Sequence, residues 1–175
     1  MILRPLQPAE TFYRFNTPRW AYSPISGAGA AKVGGRFNRP GIDALYLSRR
    51  IETAAAEYQQ GEPLMPPGTL VTYTVELASI VDFQKGYIRG EWDDLWSDWD
   101  CEWRRQALYE GIEPPSWLLA DISIERGAKG ILFPSTRHTG GCNLVIYTRQ
   151  LEDCDKLSVH DPRGDLPKNQ DSWIR

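Results

Sequence analysis

Residues 18–42, PRWAYSPISGAGAAKVGGRFNRPGI, interleave Gly and Pro with small side chains, a pattern that resists both regular helix and regular strand. Such a stretch is expected to be a long, shaped loop, and long irregular segments within compact domains are usually functional or disordered. Its surroundings argue against disorder. Of 175 residues, 41% are hydrophobic and 25% charged, the balance of an ordinary globular protein. That length fits one domain with a sizeable core. We read residues 1–160 as the domain and the polar stretch 161–175 as a C-terminal tail.

Around the loop, helix and strand signals mix without regular βαβ alternation, which predicts an α+β domain. ALYLS (44–48) reads as a short buried strand, with Ser48 as N-cap of an alanine-rich helix over 49–60 that stops at Gly61. TLVTYTVEL (69–77) alternates as a strand, and IVDF (80–83) continues it or pairs with the sheet. Trp92, Trp96, Trp99 and Trp103 step by four, three and four, predicting a helix over 91–110 with the indoles on one face. Such a stripe more often faces a core; the functional alternative is an exposed anchor for a partner. WLLADISIERG (117–127) reads as a further helix, GILFPS (130–135) and NLVIYT (143–148) as strands joined by a Gly-rich turn, and LSV (157–159) as a last strand.

Charge is unevenly spread. Residues 1–50 hold eight basic and two acidic side chains, whereas 91–102 hold six acids and no base, within a total of −3. A pI near 5.4 argues against a nucleic-acid surface, so no direct nucleic-acid binding is expected. A locally basic N-terminal third suits a small anionic ligand. No apolar run approaches the roughly 20 residues that cross a bilayer, and MILRPLQPAE lacks the greasy core of a signal peptide. Cys101, Cys142 and Cys154 form no CxxC or Cys/His ligand spacing. The expectation is a reduced, cytoplasmic protein without metal or membrane association.

Several residues carry candidate chemistry. Arg36 follows Gly34-Gly35, where a close backbone approach and a bidentate guanidinium would suit phosphate, although a surface arginine after a turn is commoner. Tyr46 sits in ALYLS, the usual place for a core tyrosine with its hydroxyl at the rim. Glu57 follows three alanines and could point inward, although periodicity alone favours an exposed helix glutamate. Ser135 and His138 lie in PSTRHTGGCN, but no GxSxG elbow surrounds the serine, and three residues apart in a loop is no triad. His160 belongs to polar surroundings and reads as solvated.

Taken in order, GAGAAKVGGRFNRPG, ALYLS, TAAAE, ILFPS and NLVIY resemble the RES domain, the toxin half of bacterial RES–Xre toxin–antitoxin pairs. The family's arginine, glutamate and serine correspond to Arg36 in GGRFN, Glu57 in TAAAE and Ser135 in FPS. Its strand tyrosine matches Tyr46, its upstream arginine resembles Arg19, and Asn143 is a looser match to a polar residue opening the last core strand.

The resemblance implies a fold similar to ADP-ribosyltransferase toxins and consumption of NAD+ as substrate by hydrolysis or phosphorolysis. It implies Glu57, Arg36 and Tyr46 as catalytic residues, and Arg19, Arg36, Tyr46, Ser135 and Asn143 as NAD+-binding ones. An Xre-type antitoxin with a helix-turn-helix is the implied partner. The alternatives are ADP-ribosyl transfer to a cellular protein, or a binding module that keeps the fold without turnover.

Overall fold

The computed structural model describes residues 1–171; the last four residues of the polar tail lie outside the described part. The described residues form six strands: β1 (Leu3–Asn16), β2 (Ala44–Ser48), β3 (Thr69–Asp82), β4 (Gly130–Pro134), β5 (Cys142–Tyr147) and β6 (Lys156–Val159). Helices are α1 (Ala28–Val33), α2 (Ile51–Gln59), the three-residue α3 (Trp103–Arg105) and α4 (Pro115–Glu125). The sheet runs β1-β2-β5-β4-β3-β6, and β1 also pairs along β3, so five strands close on themselves with β6 outside. All pairings are antiparallel except β3 with β4. The product is an α+β domain built on a mixed, barrel-like sheet.

Alternation along the strands sorts side chains into two cores. Leu45 and Leu47 of β2, Tyr73 and Val75 of β3, and Leu144 and Ile146 of β5 pack with Leu6 and Phe12 on one face. On the other, Ala44, Ile131, Phe133, Val145 and Tyr147 pack with Leu119 and Ala120 of α4. Tyr46, Ser48 and Asn143 share the parity of this second face. The ring is weakest between β1 and β2, which meet only at Tyr13 and Ser48. There the two strands part.

The structure corrects several expectations. The expected loop at 18–42 contains the short α1 and a 3-10 turn at Pro18–Trp20. What keeps it ordered is Asn38, fully buried, whose amide donates to the carbonyls of Ala30 (3.1 Å) and Ile42 (3.1 Å). Ser48 does not cap α2, which begins at Ile51 after an Arg50 without any side-chain cap, and ends with Gln60 in the left-handed region. Of the helix expected over 91–110, only 103–110 is helical, as α3 running into a π turn at Gln106–Glu110, and residues 91–102 form no α-helix. Asp93 instead accepts the Leu95 N–H (3.0 Å) and opens a single 3-10 turn, Asp94–Trp96. Aspartates favour such local bonds over helix interiors. Trp92 and Trp96 are nonetheless buried, each ring centroid 4.7 Å from that of Phe83. β1 had no strand signal because Pro5 and Pro8 break its alternation; its pairing with β3 shifts register at those places.

Candidate active site

A cleft of about 660 Å³ opens where β1 and β2 separate. Tyr13, Arg14 and Phe15 of β1 form one wall, and Tyr46, Ser48 and Asn143 the sheet floor. Gly34, Gly35 and Arg36, Glu57 and Tyr58 of α2, and the segment from Asp100 to Leu108 complete it.

Glu57 is where the elements converge. Its Oε1 accepts hydrogen bonds from Ser135 Oγ (2.7 Å) and Asn143 Nδ2 (2.6 Å). Ser135 is itself held, because its Oγ accepts the backbone N–H groups of Arg137 (3.1 Å) and His138 (3.0 Å). Asn143 Oδ1 in turn accepts from Ser48 Oγ (2.7 Å). Both side-chain bonds fall on one carboxylate oxygen, and Oε2 takes none among the described residues. A second tie between α2 and the same loop lies one turn earlier, where Thr53 Oγ1 and His138 Nδ1 are 2.8 Å apart. Ser135 thus faces a carboxylate and the His138 ring faces Thr53, which is not a serine–histidine nucleophile.

Arg36 is fixed by carbonyls rather than acids. Its Nη1 donates to the carbonyls of Trp99 (3.0 Å) and Cys101 (3.0 Å), and Nη2 reaches Thr136 Oγ1 at 3.4 Å. The guanidinium carbon lies 5.8 Å from the centre of the Trp99 ring. Burial lowers the Arg36 pKa, opposed by Cys101, Asp100 and Glu57, but an arginine stays cationic. The tryptophan segment therefore bolts Trp92 and Trp96 into the core and offers its next backbone carbonyls to Arg36.

Tyr46 shapes the loop that carries Arg36. Its hydroxyl donates to Asn38 Oδ1 (2.8 Å) and accepts the Phe37 N–H (2.9 Å). Burial pushes this phenol far above its ordinary range, so it is neutral. Only its ring remains to meet a ligand. Trp117 Nε1 donates to the Gly35 carbonyl (2.7 Å) and Tyr147 to that of Phe37 (3.1 Å), closing the clamp. Gly35 is required by this closeness: a Cβ there would sit 2.5 Å from the Tyr46 hydroxyl oxygen.

Glu57, Arg36, Tyr46, Ser135 and Asn143 thus come together at one cleft. Arg19 does not join them. It is exposed on the 3-10 turn, and its carbonyl accepts from Gln170 (3.3 Å). The cleft is also lined by Arg104, Arg137 and Arg14, none of which the sequence reading singled out for the site; Arg14 lies on β1. Burial lowers its pKa, partly opposed by Tyr73, and no carboxylate pairs with it among the described residues. The available signal was an arginine inside the aromatic run FYRF, with no acid adjacent to it. Among the described residues no cluster of His, Cys, Asp or Glu could hold a metal ion, and no helix is long and apolar enough to cross a membrane.

Comparison with known proteins adds a family and a fold. No curated protein sequence matches the chain. A chain in the crystal structure of the M. tuberculosis MbcT–MbcA toxin–antitoxin complex superposes with a TM-score of 0.60 at 17% identity. The match covers 90% of this chain and 84% of that one, so the two share a fold. The RES domain model matches residues 11–169, nearly the whole chain. By that match, this protein belongs to the RES domain family.

Proposed function

We propose that this protein is the toxin of a toxin–antitoxin pair and cleaves the nicotinamide–ribose bond of NAD+, with water or inorganic phosphate as acceptor. The observation that carries the reading is the Glu57 carboxylate, held through Oε1 by Ser135 and Asn143 with Oε2 unengaged among the described residues, in a cleft lined by Arg14, Arg36, Arg104 and Arg137. A kinship with ADP-ribosyltransferase toxins belongs to the same proposal, as does an antitoxin of Xre type; the toxin–antitoxin complex of the fold neighbour supports an antitoxin partner.

The chemistry demands little acid catalysis. The C1′–N bond breaks with its electron pair going to nicotinamide, which leaves neutral, and the ribose becomes an oxocarbenium-like cation. A fixed carboxylate oxygen stabilises that positive charge, and its preorganisation by two donors avoids reorganisation as charge develops. Water then adds to C1′ and gives up a proton, or phosphate adds as the anion. Arg36, together with Arg14, Arg104 and Arg137 that line the same cleft, provides the cationic wall for the diphosphate. Tyr46 contributes an apolar ring face while its hydroxyl stays on the loop.

An antitoxin segment bearing carboxylates would suit the same cationic wall, since opposite charge speeds association. Incubating the purified protein with NAD+, with and without phosphate, and following free nicotinamide tests the reading. Release in either condition is expected; release in neither overturns it. Labelled NAD+ in cell lysate separates the transfer alternative, which would produce a discrete labelled protein.

A further inference from the structure

We infer that Ser48 is a positioning residue for Glu57, acting through the Asn143 amide, an inference that rests on the role of Glu57 proposed above. Ser48 and Asn143 are direct partners across β2 and β5, so their side chains rise on the same face of the sheet. Both are buried, each 4% exposed. A carboxylate only accepts hydrogen bonds, so Asn143 must turn Nδ2 toward Glu57 and Oδ1 away from it. Oδ1 then meets Ser48 Oγ at 2.7 Å while Nδ2 meets Glu57 Oε1 at 2.6 Å. Ser48 borders the cleft, yet its one hydroxyl hydrogen is committed to this amide.

The arrangement is a relay of orientation. Without the Ser48 hydroxyl, Oδ1 is a buried acceptor with no donor, and the amide gains by rotating toward water in the cleft. Rotation withdraws Nδ2 from Glu57 and leaves the carboxylate held by Ser135 alone. Binding of substrate would change little, because the arginine wall is elsewhere. Turnover would suffer, because the oxygen that faces the sugar is set by the carboxylate's tilt.

The test compares the parent, Ser48→Ala, Ser48→Thr, Asn143→Ala and the double variant Ser48→Ala/Asn143→Ala, with two readouts. The first is hydrogen exchange of the Asn143 side-chain amide by NMR, which needs no turnover. The second is kcat and KM for nicotinamide release. Ser48→Ala should exchange at least about fivefold faster and lose about tenfold in kcat with KM within about twofold. Ser48→Thr should restore both, and the double variant should be no slower than Asn143→Ala. Exchange unchanged in Ser48→Ala, or losses that multiply in the double variant, overturns the positioning role. A parent that releases no nicotinamide overturns the functional reading instead, and the exchange arm still decides whether Ser48 orients Asn143.

Discussion

Ser135 donates its only hydroxyl hydrogen to Glu57 Oε1 at 2.7 Å while its oxygen collects two backbone N–H groups from its own turn. The serine is thus aimed by the loop that follows β4, and the glutamate by α2, so the carboxylate is oriented from two independent elements. Removing the hydroxyl leaves Glu57 with one side-chain donor. Ser135→Ala should lower kcat about 10- to 100-fold, the worth of a hydrogen bond to a charged group, with the protein still folded. Steady-state nicotinamide release and a thermal melt check both halves.

Arg14 and Arg36, two of the four arginines that line the cleft, should govern substrate binding. Arg14 and Arg36 carry no ion pair among the described residues, so their charge is available to an anion. Arg14→Gln is expected to raise KM for NAD+ about tenfold or more, and Arg36→Lys to do so because lysine lacks the planar fork. KM should also climb with ionic strength in the parent, and less steeply in Arg14→Gln. A KM unmoved by either substitution would place the diphosphate elsewhere.

The loop bearing Arg36 depends on Gly35 and on the Tyr46 and Tyr147 phenols. Gly35→Ala would drive a methyl to 2.5 Å from both Asn38 Oδ1 and the Tyr46 hydroxyl oxygen. The expected cost is about 1–3 kcal/mol in a denaturant titration, with a rise in KM as Arg36 shifts.

Alkaline pH should weaken the fold through buried phenols. Tyr46, Tyr73 and Tyr147 are all raised above the ordinary value of 10.0, chiefly by burial. Each keeps its proton in the folded state where the unfolded chain loses it. Their stabilisation is therefore complete below pH 10 and declines as pH rises beyond it toward the folded values. Tyr46→Phe removes one such group. It should be about 1–3 kcal/mol less stable at pH 8, with Phe37 N–H and Asn38 Oδ1 losing their partner, yet fall less steeply above pH 10. Denaturation midpoints between pH 8 and 11 test both statements.

Legibility of the fold and the cleft varied with the kind of signal. TLVTYTVEL was readable from its alternation and NLVIYT from its short continuous apolar run, both local signals, and β3 and β5 include these segments. β1 was hidden, since its pairing with β3 over Glu10–Asn16 is a tertiary choice that Pro5 and Pro8 disguise. The tryptophan spacing correctly suggested buried indoles at Trp92 and Trp96 but mistook the backbone, because burial on one side of a turn can imitate a helical stripe. Short motifs pointed to Glu57, Ser135 and Asn143, whereas the bond from Ser48 to Asn143 joins residues 95 apart and has no local trace. Arg14 escaped for the same reason: what makes it a cleft residue is the parting of β1 from β2, not its neighbours in the chain.

Glu57→Gln offers the most direct test, because it keeps the side chain's size and removes the charge that the cleft is arranged to hold. Parent and variant should melt within a few degrees of each other, and nicotinamide release from NAD+ should be followed side by side, with and without phosphate. The account predicts steady release by the parent and a loss of at least about 100-fold in the variant, together with loss of growth arrest on expression. Equal release by the two proteins, or growth arrest undiminished in the variant, would contradict it.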